Sequence, residues 1–199
     1  MSATKPVRLP AAERRAALVA SACRVFARGS YRGTTTSELA REAGVTEPIL
    51  YRHFTSKRDL YLACLDESWN ATRELWDEAV TAEPDPSLWL TSMGRAFLES
   101  SARATTTTLW MHGLAEARED ADIARRMSTH MREVHAYVAE VLRRAQALSG
   151  IPADRSPEAE AWIFLALGLL SMADRTLGGV MEEAWPAIRE SRLRAVAGR

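Results

Sequence analysis

Apolar residues in this chain recur three and four positions apart, with polar residues between them, and no stretch alternates polar with apolar. That period belongs to helices whose one face is buried. Leu18, Ala22 and Phe26 mark a first helix over about 11–28, stopped by Gly29. Short helices are predicted over 36–43 and 47–53, and a long one runs from Lys57 to about 80 through Leu60, Leu65, Trp69, Leu75 and Trp76. Glu83-Pro84-Asp85-Pro86 is a break, because each proline lacks a donor and biases its predecessor away from helix. Leu88, Met93, Phe97 and Ser101 mark a fifth helix, and Leu109–Ala117 a short sixth. A seventh over about 122–148 carries Ile123, Met127, Met131, Val134, Val138, Val141 and Leu142, and ends at Ser149-Gly150-Ile151-Pro152. The eighth, about 158–177, is apolar almost all round its middle. After Gly178-Gly179 comes a ninth with Met181, Trp185, Ile188, Leu193 and Val196. The expected fold is all-α, with about nine helices.

The segment Arg32–Tyr61 carries the most local detail. Thr35 followed by Glu38 spells a capping box, so a helix starts at Thr36. Gly44 supplies a left-handed corner residue, and Val45 plugs that corner. Thr46 caps a second helix whose Leu50 and Phe54 turn inward, and Ser56 with Asp59 caps the next. Two helices across a short glycine turn form a helix-turn-helix, whose second helix can enter a DNA major groove. Thr46, Glu47, Pro48, Ile49 and Arg52 fall on its outward side. Arg52 fits guanine O6 and N7, or equally clamps a phosphate; Ile49 fits a thymine methyl. Pro48 is tolerated in a first helical turn, where its N–H would lack a partner anyway, but it removes a donor that a phosphate could use. Glu47 repels phosphate unless it accepts from a cytosine amino group.

These residues resemble the TetR family of bacterial transcriptional regulators. The resemblance rests on Leu18, Ala22, Phe26, Gly29, Thr34-Thr35, Leu39-Ala40, Ala43-Gly44-Val45, Leu50-Tyr51, His53-Phe54, Lys57 and Leu60, and covers about residues 14–65. It implies a DNA-binding end and a diverged helical end that binds a ligand and dimerises. The corresponding boundaries are 1–56, with a flexible arm over 1–10, and 57–199. It also places Thr36, Tyr51, His53 and Lys57 against the DNA backbone. Lys57 as a solvated helix-start charge and His53 as a local packing residue remain alternatives. Glu47-Pro48 departs from the small or glycine residues common in the family here, which leaves the operator open. Helix eight, apolar on every face, needs cover on every face. Family members dimerise through their last two helices, so Trp162, Ile163, Ala166, Leu167, Leu170, Trp185 and Ile188 are the expected dimer interface; a central helix in a monomer is the alternative.

Charge sharpens this reading. The chain of 199 residues has a formal net charge of zero. Residues 1–60, however, hold eleven Lys/Arg against five Asp/Glu, an excess of six, and the remainder carries the opposite excess. A basic end on an acidic body presents itself to phosphate. All six tryptophans and six of the seven methionines lie beyond residue 60. Phe97, Trp110, Met127, Met131 and Trp162, with His130 among the polar residues nearby, are candidate linings of an apolar ligand pocket, and ordinary core is the duller alternative.

Metal and enzyme chemistry find little support. His130 and His135 stand on different faces, and His112 with Glu116 supplies two ligands where a site needs more. No nucleophile–base spacing, phosphate-binding glycine loop or paired catalytic carboxylate stands out. No cofactor is expected. Cys23 and Cys64 read as small core residues of a reducing cytosol, with a redox switch as the alternative. Residues 1–10 are polar and lack a secretory apolar run, and Ala161–Ala173 is too short for a bilayer, so a cytoplasmic protein is expected. The function expected is a homodimeric, non-enzymatic repressor, released from a palindromic double-stranded operator by a small hydrophobic effector. The alternatives are a ligand-independent architectural DNA-binding protein and a helical-bundle carrier or enzyme.

Overall fold

A computed structural model describes residues 10–197, so the arm expected over 1–10 lies, apart from Pro10, outside the described residues. Among these residues there are nine α-helices and no strand. They are α1 (Ala11–Arg28), α2 (Thr36–Glu42), α3 (Glu47–Tyr51), α4 (Lys57–Ala82), α5 (Trp89–Glu99), α6 (Arg103–Glu116), α7 (Ala121–Ala147), α8 (Pro157–Thr176) and α9 (Trp185–Ala197). The proline break becomes a 3-10 turn, Pro86–Leu88, capped by Asp85, whose carboxylate accepts from Ser87 N at 2.9 Å.

Two helices start elsewhere than expected. α6 starts at Arg103, six positions before Leu109, so Thr105–Thr108 are helical. Four β-branched residues in a row weaken helix propensity. Local compensation is visible where Thr108 Oγ1 donates to Ala104 O at 3.0 Å. α9 starts only at Trp185, and the residues after Gly179 form a turn. Gly178 and Gly179 both take positive φ, +85° and +80°. The buried Asp174 carboxylate then accepts from Met181 N and from Trp185 Nε1, each at 2.8 Å, which ties the turn back to α8.

The described residues divide into two compact units. The first holds the chain up to Glu67 together with Ala104–Ile123; the second holds Ser68–Arg103 and everything from Ala124 onward. In the first, Leu18, Ala22, Phe26, Leu39, Leu50, Phe54, Leu60 and Tyr61 are buried. Each leucine or phenylalanine among them removed from water contributes about 1.5–3 kcal/mol before entropy is counted. Tyr61 sits edge-on to Phe26, centroids 5.0 Å apart, and its hydroxyl donates to Leu109 O at 2.7 Å. That bond fastens α6 to α4. In the second unit Trp69, Trp76, Val80, Trp89, Met93, Val138, Leu142, Ala161, Leu165 and Val196 form one core. Among the described residues no helix is long and apolar enough to cross a membrane, and no three metal-binding side chains cluster.

Candidate nucleic-acid interface

The helix-turn-helix is built by its own local bonds. Thr35 Oγ1 accepts from Glu38 N at 3.2 Å, and Glu38 Oε2 accepts from Thr35 N at 2.9 Å, closing the capping box. The Thr35 N–H beside it, with the Thr35 hydroxyl, holds the Glu38 carboxyl below the usual carboxylate range. Gly44 turns the corner at φ +66°, and Val45 N donates back to Ala40 O at 3.0 Å. Leu50 and Phe54 are buried beneath α3.

α3 is shorter than expected, and Thr46 occupies its cap position without a side-chain cap bond. Pro48 has no N–H to offer, and Ile49 N already donates to Thr46 O at 2.9 Å, so the Thr46 hydroxyl finds no orphan donor. It stays exposed, as do Pro48, Tyr51 and Arg52. Arg52 makes no ion pair among the described residues. Ile49, His53, Thr36 and Glu47 are half-buried. Thr36 Oγ1 donates to Glu47 Oε2 at 2.8 Å, joining the first turn of α2 to that of α3. Lys57 turns inward as well: Nζ donates to Tyr31 O at 2.8 Å and Thr34 O at 3.0 Å, with the Tyr31 ring 4.7 Å away. Those contacts pin the start of α4 to the loop before α2.

The basic excess is largely neutralised within the first unit. Arg28 pairs with Glu42 at 2.8 Å. Arg32 is held by Glu116 at 3.0 Å and by Glu119. Arg58 is held by Asp120 at 3.2 Å and Asp122 at 2.9 Å. Adding Asp66, Glu67 and the residues Ala104–Ile123 brings the unit's formal charge to +1. Arg41 and Arg52 are among the exposed arginines that make no ion pair among the described residues.

Residues 18–64 match the family model for bacterial regulatory proteins of the tetR family, and residues 86–195 match the model for the C-terminal part of BetI-type transcriptional repressors. The second match alone spans more than half of the chain. The chain belongs to the TetR family. It is therefore a transcriptional regulator with a DNA-binding helix-turn-helix, in a family of DNA-binding proteins rather than enzymes. Among curated TetR relatives, the transcriptional activator FasR of Mycolicibacterium smegmatis is 48% identical over 58 residues, 29% of this chain and 26% of that protein. The chain thus spans about a quarter of FasR. A TetR-family regulator from Rhodococcus sp. superposes with a TM-score of 0.78 at 21% identity, covering 92% of this chain and 96% of that one. A Saccharomonospora viridis regulator solved in complex with choline superposes at 0.73 and 19% identity, covering 85% and 88%.

In the second unit of this TetR protein, the candidate ligand residues spread out. Met127 and His130 are buried, while Phe97 and Met131 are half-buried. Trp162 is 47% exposed and stacks on His135, ring centroids 4.2 Å apart. Trp110 is buried in the first unit. A further aromatic group lies around Trp76: Trp69 (5.9 Å), Tyr137 (5.9 Å) and Phe164 (5.7 Å), with the expected His130 5.8 Å from Trp69. The Trp76 indole N–H is buried without an acceptor among the described residues, and Tyr137 donates to Asp77 Oδ1 at 2.8 Å. Trp69 and Trp76 stand seven positions apart on α4, two turns on one face, a signal the sequence does carry. Ile163 and Leu170 on α8 join Trp162 as large exposed apolar side chains. Ala166 is exposed, and Leu167, Trp185 and Ile188 are half-buried.

Proposed function

We propose that the chain is a homodimeric repressor that reads a palindromic operator through the outer face of α3 and leaves it when a small molecule binds the helical half. The carrying observation is a buried underside, Leu50 and Phe54, beneath an open outer face, Thr46, Pro48, Tyr51 and Arg52. In this reading Arg52 meets a guanine edge and Ile49 a thymine methyl. Thr36, Thr46, Tyr51 and His53 steady the backbone, and Lys57 has one N–H left for phosphate after its two carbonyls. Glu47, engaged by Thr36, is turned toward its own protein rather than toward phosphate.

The exposed side chains of α8, with Trp185 and Ile188 of α9, support dimerisation. Two heads about 34–36 Å apart then meet successive major grooves. The aromatic group around Trp76 supports a flat, mostly apolar effector carrying one acceptor for the indole N–H. Its ring faces favour a second reading, a small organic cation, because quaternary ammonium groups sit well on aromatic rings; the choline complex of the Saccharomonospora viridis relative makes choline the compound to test first. The effector acts only by preferring the head spacing that misfits the operator. A DNA regulator of this kind works in the cytoplasm.

Selection from a randomised DNA pool tests the reading. One enriched palindrome, bound about 5- to 150-fold more weakly by Arg52→Ala, is the expected result. Enrichment of nothing, with only salt-sensitive bulk binding, sinks it in favour of an architectural protein. A transcript that rises when the protein is added would instead make it an activator, as FasR is named.

A further inference from the structure

Cys23 on α1 and Cys64 on α4 are 41 positions apart and are the only two cysteines of the chain. Folding brings them together. Cys23 Sγ points at Cys64 O, 4.0 Å away, and Cys64 Sγ points at Val19 O, 3.7 Å away. Val19 is one turn before Cys23 on the same helix, so each thiol lies against the backbone of the other's helix. Both are buried free thiols; Cys64 is fully enclosed, whereas Cys23 is 9% exposed.

We infer that Cys23 and Cys64 form a peroxide-sensitive pair that closes to an intramolecular disulfide, enclosing the whole helix-turn-helix in the resulting loop. The two sulfurs have different roles. The neighbouring Cys64 thiol draws the Cys23 thiol below its ordinary range, while burial pushes the Cys64 thiol up. Cys23, the more accessible and more readily ionised, is therefore the attacking sulfur. Its thiolate attacks one oxygen of hydrogen peroxide, the O–O bond breaks, and hydroxide leaves and takes up the Cys23 proton as water. The product is a Cys23 sulfenic acid. Cys64 sulfur then attacks Cys23 sulfur, the S–O bond breaks, and the hydroxyl departs with the Cys64 proton as a second water. Two thiols are oxidised to one disulfide and one peroxide is reduced to two waters. The bond would hold the two sulfurs about 2.05 Å apart and so tie α1 to α4.

The test treats the full chain with hydrogen peroxide and reads the intact mass and the peptide map. The expected product is a monomeric chain about 2 Da lighter, with the Cys23 and Cys64 peptides linked and dithiothreitol reversing the change. Its thermal midpoint rises relative to the reduced chain, and Cys23→Ser and Cys64→Ser abolish both effects. Three results overturn the proposal: thiols that stay alkylatable at peroxide doses that oxidise methionine; oxygen added to either cysteine without a link; or a disulfide between two chains. The wild-type peptide map decides the matter even if a serine variant folds poorly.

Discussion

His130 shows how a single side chain couples burial to solution conditions. It is fully buried beside Trp69, and burial, helped by the Arg126 guanidinium, holds its pKa down at about 4. An unfolded chain would titrate it near 6.5. The folded state thus favours the neutral ring. Its stability is complete above about pH 6.5 and drains as pH falls toward 4, to a total of roughly 3 kcal/mol. Denaturant midpoints at pH 7.5 and 4.5 should separate accordingly, and His130→Leu should remove that part of the difference. Of this residue the sequence announces little more than an imidazole on a helix face. Its burial comes from Trp69, 61 positions earlier, and no local pattern reports that. The head is the opposite case: Thr35, Glu38, Gly44, Leu50 and Phe54 are legible because each acts within four or five residues of itself. Lys57 lies between the two, visible as a charge but committed to Tyr31 and Thr34 by the fold.

Turns carry the contrast at the level of elements. Gly44 occupies left-handed backbone with open space where a Cβ would go, whereas a Cβ on Gly150 would fall 2.5 Å from Pro86 Cβ and 2.8 Å from Ser87 N. Gly44→Ala therefore meets only the conformational cost, about 1–2 kcal/mol. Gly150→Ala is free of that cost but must displace the 3-10 turn, and should lower the thermal midpoint further than Gly44→Ala does. Either ordering is read from two melting curves; a larger drop for Gly44→Ala would contradict the contact geometry. Most helices announce themselves by period and breaker, within a residue or two. The start of α6 does not, because Thr105–Thr108 suit strand as well as helix and gain their conformation from tertiary anchoring such as Tyr61 to Leu109. The start of α9 is hidden for a similar reason, since Asp174 holds Met181 and Trp185 in place from a distance.

For the whole molecule, the proposed dimer rests on the exposed apolar face of α8. Ile163→Asp with Leu170→Asp should leave the helix content unchanged, because both side chains are exposed in the single chain, and should shift sedimentation equilibrium from twice the chain mass to once. Unfolding of that variant would instead make α8 a central helix of a monomer. Nothing in the residue pattern of 104–123 announces that they pack with the first unit, yet they supply the four carboxylates that occupy Arg32 and Arg58. That corner bears on how any salt titration of operator binding is to be understood. Added electrolyte displaces counterions from DNA, and the slope of the logarithmic plot is commonly converted to a number of phosphates contacted, at about 0.9 per phosphate. The same electrolyte screens exposed carboxylate–guanidinium pairs. If operator binding draws Arg32 and Arg58 away from those partners, salt eases that exchange and flattens the observed slope. A phosphate tally taken from that slope alone would then fall short of the contacts made.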